Sequence, residues 1–404
     1  MLYSPSEHEP LTTAAWDDEA VRAAVRAIVA GAERAFDPAS LWPVHPGDVD
    51  VDVDGGGVDV YLTHGVWSGA AGVLWVLHHL AAAGAVARGR DYAPVAAGLH
   101  DDYVRQAGGP TPAVPGLLVG ESGILLVAEL MEPDPARADR LLDAVRANAD
   151  NETDELMWGS PGTMLVADAM YERTGDERWA AAWSASADRL LERLRRHDEL
   201  GCDLWVQHLY GKVSHYVGPA HGFAGNVLAL TRRLRRHRRA ELLERVTRTI
   251  ETLASREDGL ANWRPQADGE LVDRRGAIRV QWCHGAPGIV TSLAGIRDAP
   301  ALDELLAAGA RLTWTAGPLR KGPGLCHGTA GNGYALLAMY ARTGDRVWLD
   351  RARAFAMHAL EQVERERAAH GRGHFSLWTG DLGVAVYAWQ CIAGAAGFPT
   401  LELW

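Results

Sequence analysis

The stretch "HGTAGNGYALLAMY", residues 327–340, joins a Gly-x-x-Gly motif to a long apolar run. The same arrangement occurs seven times, with first glycines 39 to 63 residues apart. Each interval has room for two helices and two loops, so one repeating unit builds the architecture. The other six motifs are "SGAAGVLWVL" (68–77), "VGESGILLVAEL" (119–130), "WGSPGTMLVADAMY" (158–171), "HGFAGNVLALT" (221–231), "HGAPGIVTSLAG" (284–295) and "TGDLGVAVYAWQ" (379–390).

The segments between the motifs predict amphipathic helices, because apolar residues recur at i, i+3, i+4 and i+7 among strong helix formers. The segments after each motif are apolar all round, which is typical of buried helices. We therefore predict an all-α fold, a double-layered α/α barrel with seven outer and seven inner helices, formed by residues 1–404 as a single domain. The clearest amphipathic segments are residues 17–36, 136–149, 177–197 and 239–255.

Two segments depart from the helical pattern. Residues 48–60 alternate acidic residues with valine and glycine, which favours an extended acidic segment. Residues 202–222, "CDLWVQHLYGKVSHYVGPAHG", are rich in β-formers. Both precede a glycine motif, and we expect them to be structural lead-in loops rather than chemical sites.

The glycines of the motifs have a physical explanation at the ends of inner helices. Glycine permits positive φ and close backbone approach, and free N–H groups at a helix start favour anionic groups. We expect all seven motifs to lie at one end of the barrel. Tight packing at helix starts explains part of the glycine content by itself, but it does not explain the cysteines.

Charge and composition exclude several classes of protein. The formal net charge of -12 over 404 residues disfavours nucleic acid and anionic membranes as partners. The N-terminal residues show no secretory signal, and no apolar run reaches the length of a membrane span. We therefore expect a cytoplasmic protein whose four cysteines are reduced.

Two of the four cysteines, Cys283 and Cys326, stand directly before His-Gly. Two thiolates and one imidazole form an established zinc site with an open fourth position, and thiolates favour zinc over magnesium or calcium. Cys283, Cys326 and His327 supply that set if the fifth and sixth repeats are neighbours, so we predict one Zn²⁺ per chain. The alternative is a closed structural zinc site, but Cys202 and Cys391 lack the His-Gly context.

Three histidines occupy the position before the first glycine in consecutive repeats: His221, His284 and His327. Only one of His284 and His327 is expected to join a three-ligand site, because adjacent side chains at a helix start point in different directions. The other histidine, together with His221, is then available for acid–base chemistry at the barrel mouth.

These motifs resemble the lanthionine synthetase C-like family, which includes the lantibiotic cyclases and their eukaryotic-type relatives. The resemblance rests on "WCHGAPG" (282–288), "GLCHGTAGN" (324–332), "AHGFAGN" (220–226), "FSLWTGDLG" (375–383) and the closing "FPTLEL" (398–403), and it covers nearly the whole chain. The forms "WCHGAPG" and "DELMWGSPG" are closer to the eukaryotic-type relatives.

The resemblance implies a seven-plus-seven α/α barrel with zinc held by Cys283, Cys326 and His327. It also implies an active-site histidine at His221, an arginine at Arg279 and an acid/base residue at His284. The nearest match to an aspartate of the cyclases is Glu155, with Asp154 beside it.

The implied reaction is the addition of a thiol to dehydroalanine or dehydrobutyrine in a peptide or protein, which forms a thioether. The thiol is either a cysteine of the same peptide, giving lanthionine cyclisation, or a free thiol such as glutathione; the similarity favours the free thiol. The alternative from another class is a non-catalytic zinc-stabilised scaffold that binds peptides or a kinase. A carbohydrate enzyme with paired carboxylates ranks last, with Glu121 and Asp381 as its only candidates at the mouth.

Overall fold

The structure is a computed structural model that describes residues 1–48, 60–107, 113–268 and 276–404. The predicted acidic segment, residues 48–60, lies outside the described residues except at its two ends. Asp48 ends a short 3₁₀ helix (Pro46–Asp48), and Val60 begins the short helix α2 (Val60–His64). Further 3₁₀ helices span Pro5–Glu7 and Pro300–Leu302.

The long helices form two layers. Numbered in chain order, the outer helices are α1 (Asp18–Ala35), α4 (Ala93–Ala107), α6 (Pro135–Ala147), α8 (Glu177–Arg193), α10 (Arg236–Leu253), α12 (Asp303–Ala316) and α14 (Arg346–His370). The inner helices are α3 (Ala70–Ala82), α5 (Glu121–Met131), α7 (Ser160–Thr174), α9 (Phe223–Thr231), α11 (Ala286–Leu293), α13 (Thr329–Thr343) and α15 (Asp381–Ala393). Each inner helix contacts the next, and α15 contacts α3, so the inner ring closes.

The two layers differ in burial as the sequence predicts. Outer helix α1 buries one stripe, Val21, Val25, Ile28, Val29 and Ala32, and exposes its other face. Inner helix α13 is buried continuously from residue 329 to residue 339. The all-α fold with a double-layered α/α barrel is therefore confirmed.

The second glycine of each motif is required by close approach rather than by φ. In all seven motifs it packs against the backbone carbonyl oxygen of the residue six positions earlier, as Gly331 does against Leu325, and a Cβ atom would overlap that oxygen. The first glycines, which cap the inner helices, also lie against backbone atoms. Only Gly285 among them has a positive φ, 115°. The expectation of positive φ was therefore wrong for the other six.

Within the described ranges, six short strands form three antiparallel hairpins: β1 (Arg195–His197) with β2 (Cys202–Leu204), β3 (Gln207–Leu209) with β4 (Lys212–Ser214), and β5 (Ala254–Glu257) with β6 (Leu260–Trp263). The β-rich segment 202–222 is confirmed as partly strand. The predicted helices 177–197 and 239–255 were too long, because residues 195–197 and 254–255 belong to β1 and β5.

Buried tryptophans explain where these outer helices end. The last four carbonyl groups of a helix have no partner within the helix. Trp205 Nε1 donates to Leu190 O (2.7 Å) in the last turn of α8, and Trp263 Nε1 donates to Ile250 O (2.9 Å) in the last turn of α10. Trp205 directly follows β2 and Trp263 is the last residue of β6, so each hairpin closes back on the helix that precedes it.

None of the described helices is both long and apolar enough to cross a membrane.

Candidate metal centre and active site

The segments that end at Gly69, Gly120, Gly159, Gly222, Gly285, Gly328 and Gly380 open the inner helices, and we call them the mouth loops. Neighbouring mouth loops are joined by backbone hydrogen bonds between equivalent residues, two positions before the first glycine. The bonds run from Trp67 N to Leu118 O (2.9 Å), Leu118 N to Met157 O (3.2 Å), Cys283 N to Cys326 O (3.0 Å), Cys326 N to Trp378 O (2.9 Å) and Trp378 N to Trp67 O (3.0 Å). Cys283 and Cys326 are therefore neighbours because they occupy the same position in adjacent repeats.

A hydrogen bond from a buried asparagine, repeated in two inner helices, joins each of these helices to the mouth loop of the preceding repeat. Asn332, one residue after the second glycine of its motif, donates from Nδ2 to Val280 O (2.9 Å) in the preceding mouth loop. Asn226 holds the equivalent position in α9 and donates to Asp154 O (2.9 Å). Both asparagines are fully buried, so each fixes the mouth loop of the preceding repeat.

Cys283, Cys326 and His327 offer three donor atoms that lie within 4.8 Å of one another. Both thiols are buried, and His327 is half-buried. Two sulfurs and one imidazole nitrogen match the donor preference of zinc. Within the described part of the chain the group holds three donors, which leaves the fourth position of a tetrahedral ion open. Cys202 on β2 and Cys391 on α15 lie outside the group.

The surroundings of the two thiols differ. Burial opposes the ionisation of Cys283, but hydrogen bonds from Cys326 and His327 outweigh it and hold the pKa of Cys283 well below its usual value. Gln281 Nε2 also donates to Cys283 Sγ (3.1 Å). Burial and the neighbouring Cys283 thiolate raise the pKa of Cys326, whereas the charge of Lys321 opposes that rise. A bound cation would remove this conflict by favouring both thiolates.

His284 does not join the metal donors and faces His221 instead. The two ring centroids lie 6.0 Å apart. Burial lowers the pKa of His284 to about 4, with a smaller opposing contribution from Cys283. Among the described residues, Nδ1 of His284 has no hydrogen-bond partner. The imidazole is therefore neutral near pH 7 and lies within the candidate site.

His221 is paired with Glu155. His221 Nδ1 and Glu155 Oε2 are 3.2 Å apart, and the glutamate is fully buried while 14% of the histidine side chain is exposed. The same carboxylate accepts backbone hydrogen bonds from Met157 N (2.9 Å), Trp158 N (2.6 Å) and Gly159 N (3.1 Å). Glu155 is thus fixed by its own mouth loop. With Nδ1 held by the carboxylate, Nε2 is the nitrogen of His221 that can exchange a proton.

Aromatic rings that the sequence analysis did not single out surround His221. Trp158 stacks on it at 6.1 Å, Tyr210 lies edge-on at 5.7 Å, and Tyr216 lies at 5.7 Å from His221 and 6.1 Å from His284. Tyr210 forms the turn between β3 and β4. The β-rich segment, predicted to have a structural role, therefore also forms a wall of the candidate site.

Arg279 lies on the same side of the mouth. Its side chain is exposed, and its charge contributes to the low pKa of His284. Its backbone is held by Asn262, which donates to Arg279 O (3.2 Å) and accepts from Ala286 N (2.8 Å) at the start of α11. Asn262, in β6, therefore fixes both ends of the loop that carries Arg279, Cys283 and His284.

The sequence model of the lanthionine synthetase C-like proteins matches residues 80–403 of this chain. The chain belongs to the lanthionine synthetase C-like family. Two eukaryotic relatives match in part. "Glutathione S-transferase LANCL1" from Danio rerio is 31% identical over 46% of this chain and 46% of its own length, and "LanC-like protein GCL1" from Arabidopsis thaliana is 39% identical over 20% of this chain and 19% of its own. These matches span less than half the length of either relative.

A solved structure shares the fold of this family member. "Nisin cyclase" superposes with a TM-score of 0.60 and 15% identity, and the superposition covers 94% of this chain and 95% of the cyclase. At this identity the likeness shows the fold alone.

A cavity of about 230 Å³ adjoins the metal donors of this lanthionine synthetase C-like chain, and His327 forms part of its wall. Its polar lining includes Lys321, Glu366 and a linked group of histidines. His374 Nε2 contacts Asp48 Oδ2 (2.6 Å), and His45 stacks on His374 with ring centroids 4.1 Å apart. No sequence repeat singles out these residues, since they come from the N-terminal segment and α14 as well as from the mouth loops.

The carboxylates proposed for the carbohydrate alternative already have partners. Glu121 contacts His100 Nε2 (3.0 Å), and Asp381 accepts from Arg367 Nε (2.9 Å) and from His374 N (3.3 Å). Asp381 is 1% exposed. These contacts join Glu121 to outer helix α4 and Asp381 to outer helix α14.

Proposed function

We propose that this protein catalyses the zinc-dependent addition of a thiol to a dehydroalanine or dehydrobutyrine residue of a peptide or protein. The observation that carries the proposal is the convergence of Cys283, Cys326 and His327 in one mouth, beside the His221–Glu155 pair. Membership of the family supports a reaction that forms a C–S bond.

A zinc ion held by Cys283, Cys326 and His327 would supply a Lewis acid that lowers the pKa of a substrate thiol, so that the thiol reacts as thiolate at neutral pH. Both cysteines are then thiolates, and Gln281 donates a hydrogen bond to the sulfur of Cys283. The mouth-loop bond between Cys283 and Cys326 keeps the donors at fixed separation.

The remaining steps are C–S bond formation and two proton transfers. Sulfur bonds to the β-carbon, the C=C π bond breaks, and negative charge develops on the adjacent carbonyl oxygen; a proton then adds to the α-carbon, so the addition is redox-neutral. Arg279, exposed at the mouth, supplies positive charge for the developing enolate. His221, with Nδ1 held by Glu155, accepts the thiol proton at Nε2 and returns a proton to the α-carbon. His284 is the second candidate for that proton donor.

We propose a small free thiol as the donor, rather than a cysteine of the same peptide. The cavity beside His327 carries a cation, Lys321, and carboxylates, Asp48 and Glu366, which suit a thiol that bears both ammonium and carboxylate groups, such as glutathione. The name of the zebrafish relative, a glutathione S-transferase, is consistent with this choice. The aromatic wall of Trp158, Tyr210 and Tyr216 then offers apolar surface to the dehydrated peptide.

The test compares two substrates and two cysteine variants. Purified protein is assayed for zinc and for thioether formation by mass spectrometry, once with a dehydroalanine peptide that has an internal cysteine and once with a cysteine-free peptide plus glutathione. Cys202→Ala is the matched control for Cys326→Ala, because both thiols are buried but only Cys326 belongs to the donor group.

We expect about one zinc ion at this site, glutathione addition by the wild type and by Cys202→Ala, and loss of both zinc and addition in Cys326→Ala. Ring formation without glutathione addition would instead identify a lanthionine cyclase. Zinc binding without addition to either peptide would refute the enzymatic proposal and favour a zinc-stabilised peptide-binding scaffold. Absence of zinc from the wild type after supplementation would refute the metal site.

A further inference from the structure

A second group of metal-donor side chains lies beside the aromatic wall, outside the site described above. His197, His215 and Asp268 place one ring nitrogen each and a carboxylate oxygen within 4.8 Å of one another. His215 Nδ1 and Asp268 Oδ2 are 2.7 Å apart, and the rings of His197 and His215 meet edge-on at 5.1 Å. Three segments of the chain meet here.

Backbone contacts build this meeting point. His197 ends β1, where it pairs with Cys202 of β2. His215 directly follows β4, and its carbonyl oxygen accepts from Ala267 N (2.9 Å), while Val217 N donates to Pro265 O (3.0 Å). Asp268 is therefore held opposite His215 by a short antiparallel pairing, and the donor positions are set by the fold.

We propose that His197, His215 and Asp268 bind a second divalent transition-metal ion of the Zn²⁺, Co²⁺ or Ni²⁺ type. Two imidazoles and one carboxylate are a donor set that suits these ions. Ligand bonds of about 2.0–2.2 Å require the donor atoms to come closer than 4.8 Å, and rotation of the partly exposed side chains supplies that movement. Asp268 is 39% exposed, so water reaches the remaining coordination positions.

The hydrogen bond between His215 and Asp268 alone does not explain the position of His197, which comes from a different hairpin and shares the same small volume. An ion bound by His197, His215 and Asp268 links β1, the end of β4 and residues 265–268. We call this three-residue site the clamp. Tyr216 is the residue next to His215, and its ring lies against both His221 and His284. We therefore infer that the ion holds the aromatic wall in place, a structural role that requires no contact with substrate.

The experiment measures metal binding by the full chain and does not depend on activity. Metal-free protein is titrated with Zn²⁺ alone, and bound zinc is counted after gel filtration for the wild type, His197→Ala, Asp268→Asn and Cys326→Ala. His237→Ala is the matched control, because His237 is an exposed histidine on α10 that belongs to neither donor group. Asp268→Asn keeps the shape of the side chain and its ability to hydrogen-bond His215 but weakens it as a metal ligand.

We expect two ions per chain in the wild type and in His237→Ala, and one ion per chain in His197→Ala and Asp268→Asn. The affinity for zinc at the clamp should fall about 100-fold or more in the last two variants, because loss of outer-shell partners alone costs about 10–100-fold in metal affinity. Cys326→Ala should retain the clamp ion, and its Co²⁺ complex should lack the charge-transfer absorption that thiolate ligands produce. Unchanged stoichiometry in both His197→Ala and Asp268→Asn would overturn the clamp. A single ion in the wild type that is lost in Cys326→Ala would also overturn it, while leaving the proposed function intact.

Circular dichroism of the metal-free variants separates ligand loss from misfolding. His197 and Asp268 are partly exposed, so both substitutions are expected to leave the helical signal and the metal-free melting temperature unchanged. A raised melting temperature on adding Zn²⁺ to Cys326→Ala, absent when His197→Ala is combined with it, would support the clamp. An equal rise in the single and the combined variant would overturn it.

Discussion

The tripeptide Cys-His-Gly occurs twice in neighbouring mouth loops, at 283–285 and 326–328, with two different outcomes. The cysteines behave alike: both occupy the position two residues before the glycine, and a backbone hydrogen bond joins them. The histidines diverge, because His327 joins the metal donors while His284 faces His221. The two copies of the tripeptide therefore place their cysteines in equivalent positions but direct their histidines to different partners.

The difference originates in the backbone around the glycine. Gly285 has a φ of 115°, whereas Gly328 is extended, with a φ of -130°. In the first loop, Gln281 and His284 also exchange two backbone hydrogen bonds of 3.1 Å, which closes a tight turn around Cys283. The turn re-aims His284, so that His327 joins the candidate metal-donor group and its counterpart stays outside it, beside His221.

The largest expected effect comes from replacing each of the two histidines by alanine. His327→Ala should lose the zinc ion at this site and reduce thiol addition to the uncatalysed level, because the metal keeps only two protein ligands. His284→Ala should keep that zinc ion and retain measurable activity. Metal analysis and initial rates of both variants provide the test. Equal loss of zinc in the two variants would show that the asymmetry described here is absent in solution.

A second test addresses the partner that His284 faces. His221→Asn should retain zinc but lower the rate by about 100-fold or more, which is the usual range for loss of a general acid–base group. Glu155→Gln should cause a smaller decrease, because the glutamate acts through His221 as a positioning residue. The pH–rate profile distinguishes these roles: Glu155→Gln should shift its limbs, and His221→Asn should abolish the limb that belongs to the imidazole. Loss of zinc in either variant would contradict these assignments.

The sequence predicted the part of this site that follows from repetition. Cys283 and Cys326 were paired from their equivalent positions, and the resemblance to a family added Glu155 and Arg279. The contacts among Tyr210, Tyr216 and His221 could not be predicted, because they depend on how the β3–β4 hairpin folds over the mouth. Lys321 and the His45–His374 pair were missed for the same reason: they meet only in three dimensions, from segments without any repeat.

The ends of the outer helices show the same limit. Helical periodicity continues through residues 195–197 and 254–255, and nothing local marks them as strand. The end of each helix is set by a tryptophan downstream, Trp205 or Trp263, which caps a carbonyl group of the last turn. Non-local hydrogen bonds thus overrode local propensity at these positions.

A third prediction concerns the glycine that creates the asymmetry. Gly285→Ala should lower the free energy of unfolding by about 3 kcal/mol, because alanine resists a left-handed backbone and its Cβ would overlap the carbonyl oxygen of Arg279. Gly98→Ala, in the middle of α4, is the matched control: a Cβ there has open space and should stabilise the helix by about 0.5–1 kcal/mol. Urea denaturation measures both. A similar change in the two variants would contradict the strain assigned to Gly285.

The smallest expected effect concerns a third mouth loop, in which the adjacent side chains of Asp154 and Glu155 also point in different directions. Glu155 turns toward His221, whereas Asp154 turns toward Arg193 (2.8 Å) on outer helix α8. Burial is the largest influence on Asp154 and, despite Arg193, raises its pKa to about 6. A carboxyl group whose pKa is higher in the folded state favours folding below the unfolded value, and that contribution is lost as the pH rises through 6.

Asp154→Asn removes this titration and keeps a residue that tolerates the positive φ of 43° at this position. Relative to the wild type, the variant should therefore gain stability on the order of 2 kcal/mol between pH 4 and pH 7, since one pKa unit corresponds to about 1.4 kcal/mol. Zinc content and the rate of thiol addition should not change, because Asp154 faces the outer layer. Denaturation curves at pH 4, 5, 6 and 7 provide the measurement. A stability difference that is constant with pH would show that Asp154 has the same pKa in the folded and unfolded states. A lower rate would place Asp154 with Glu155 in the site.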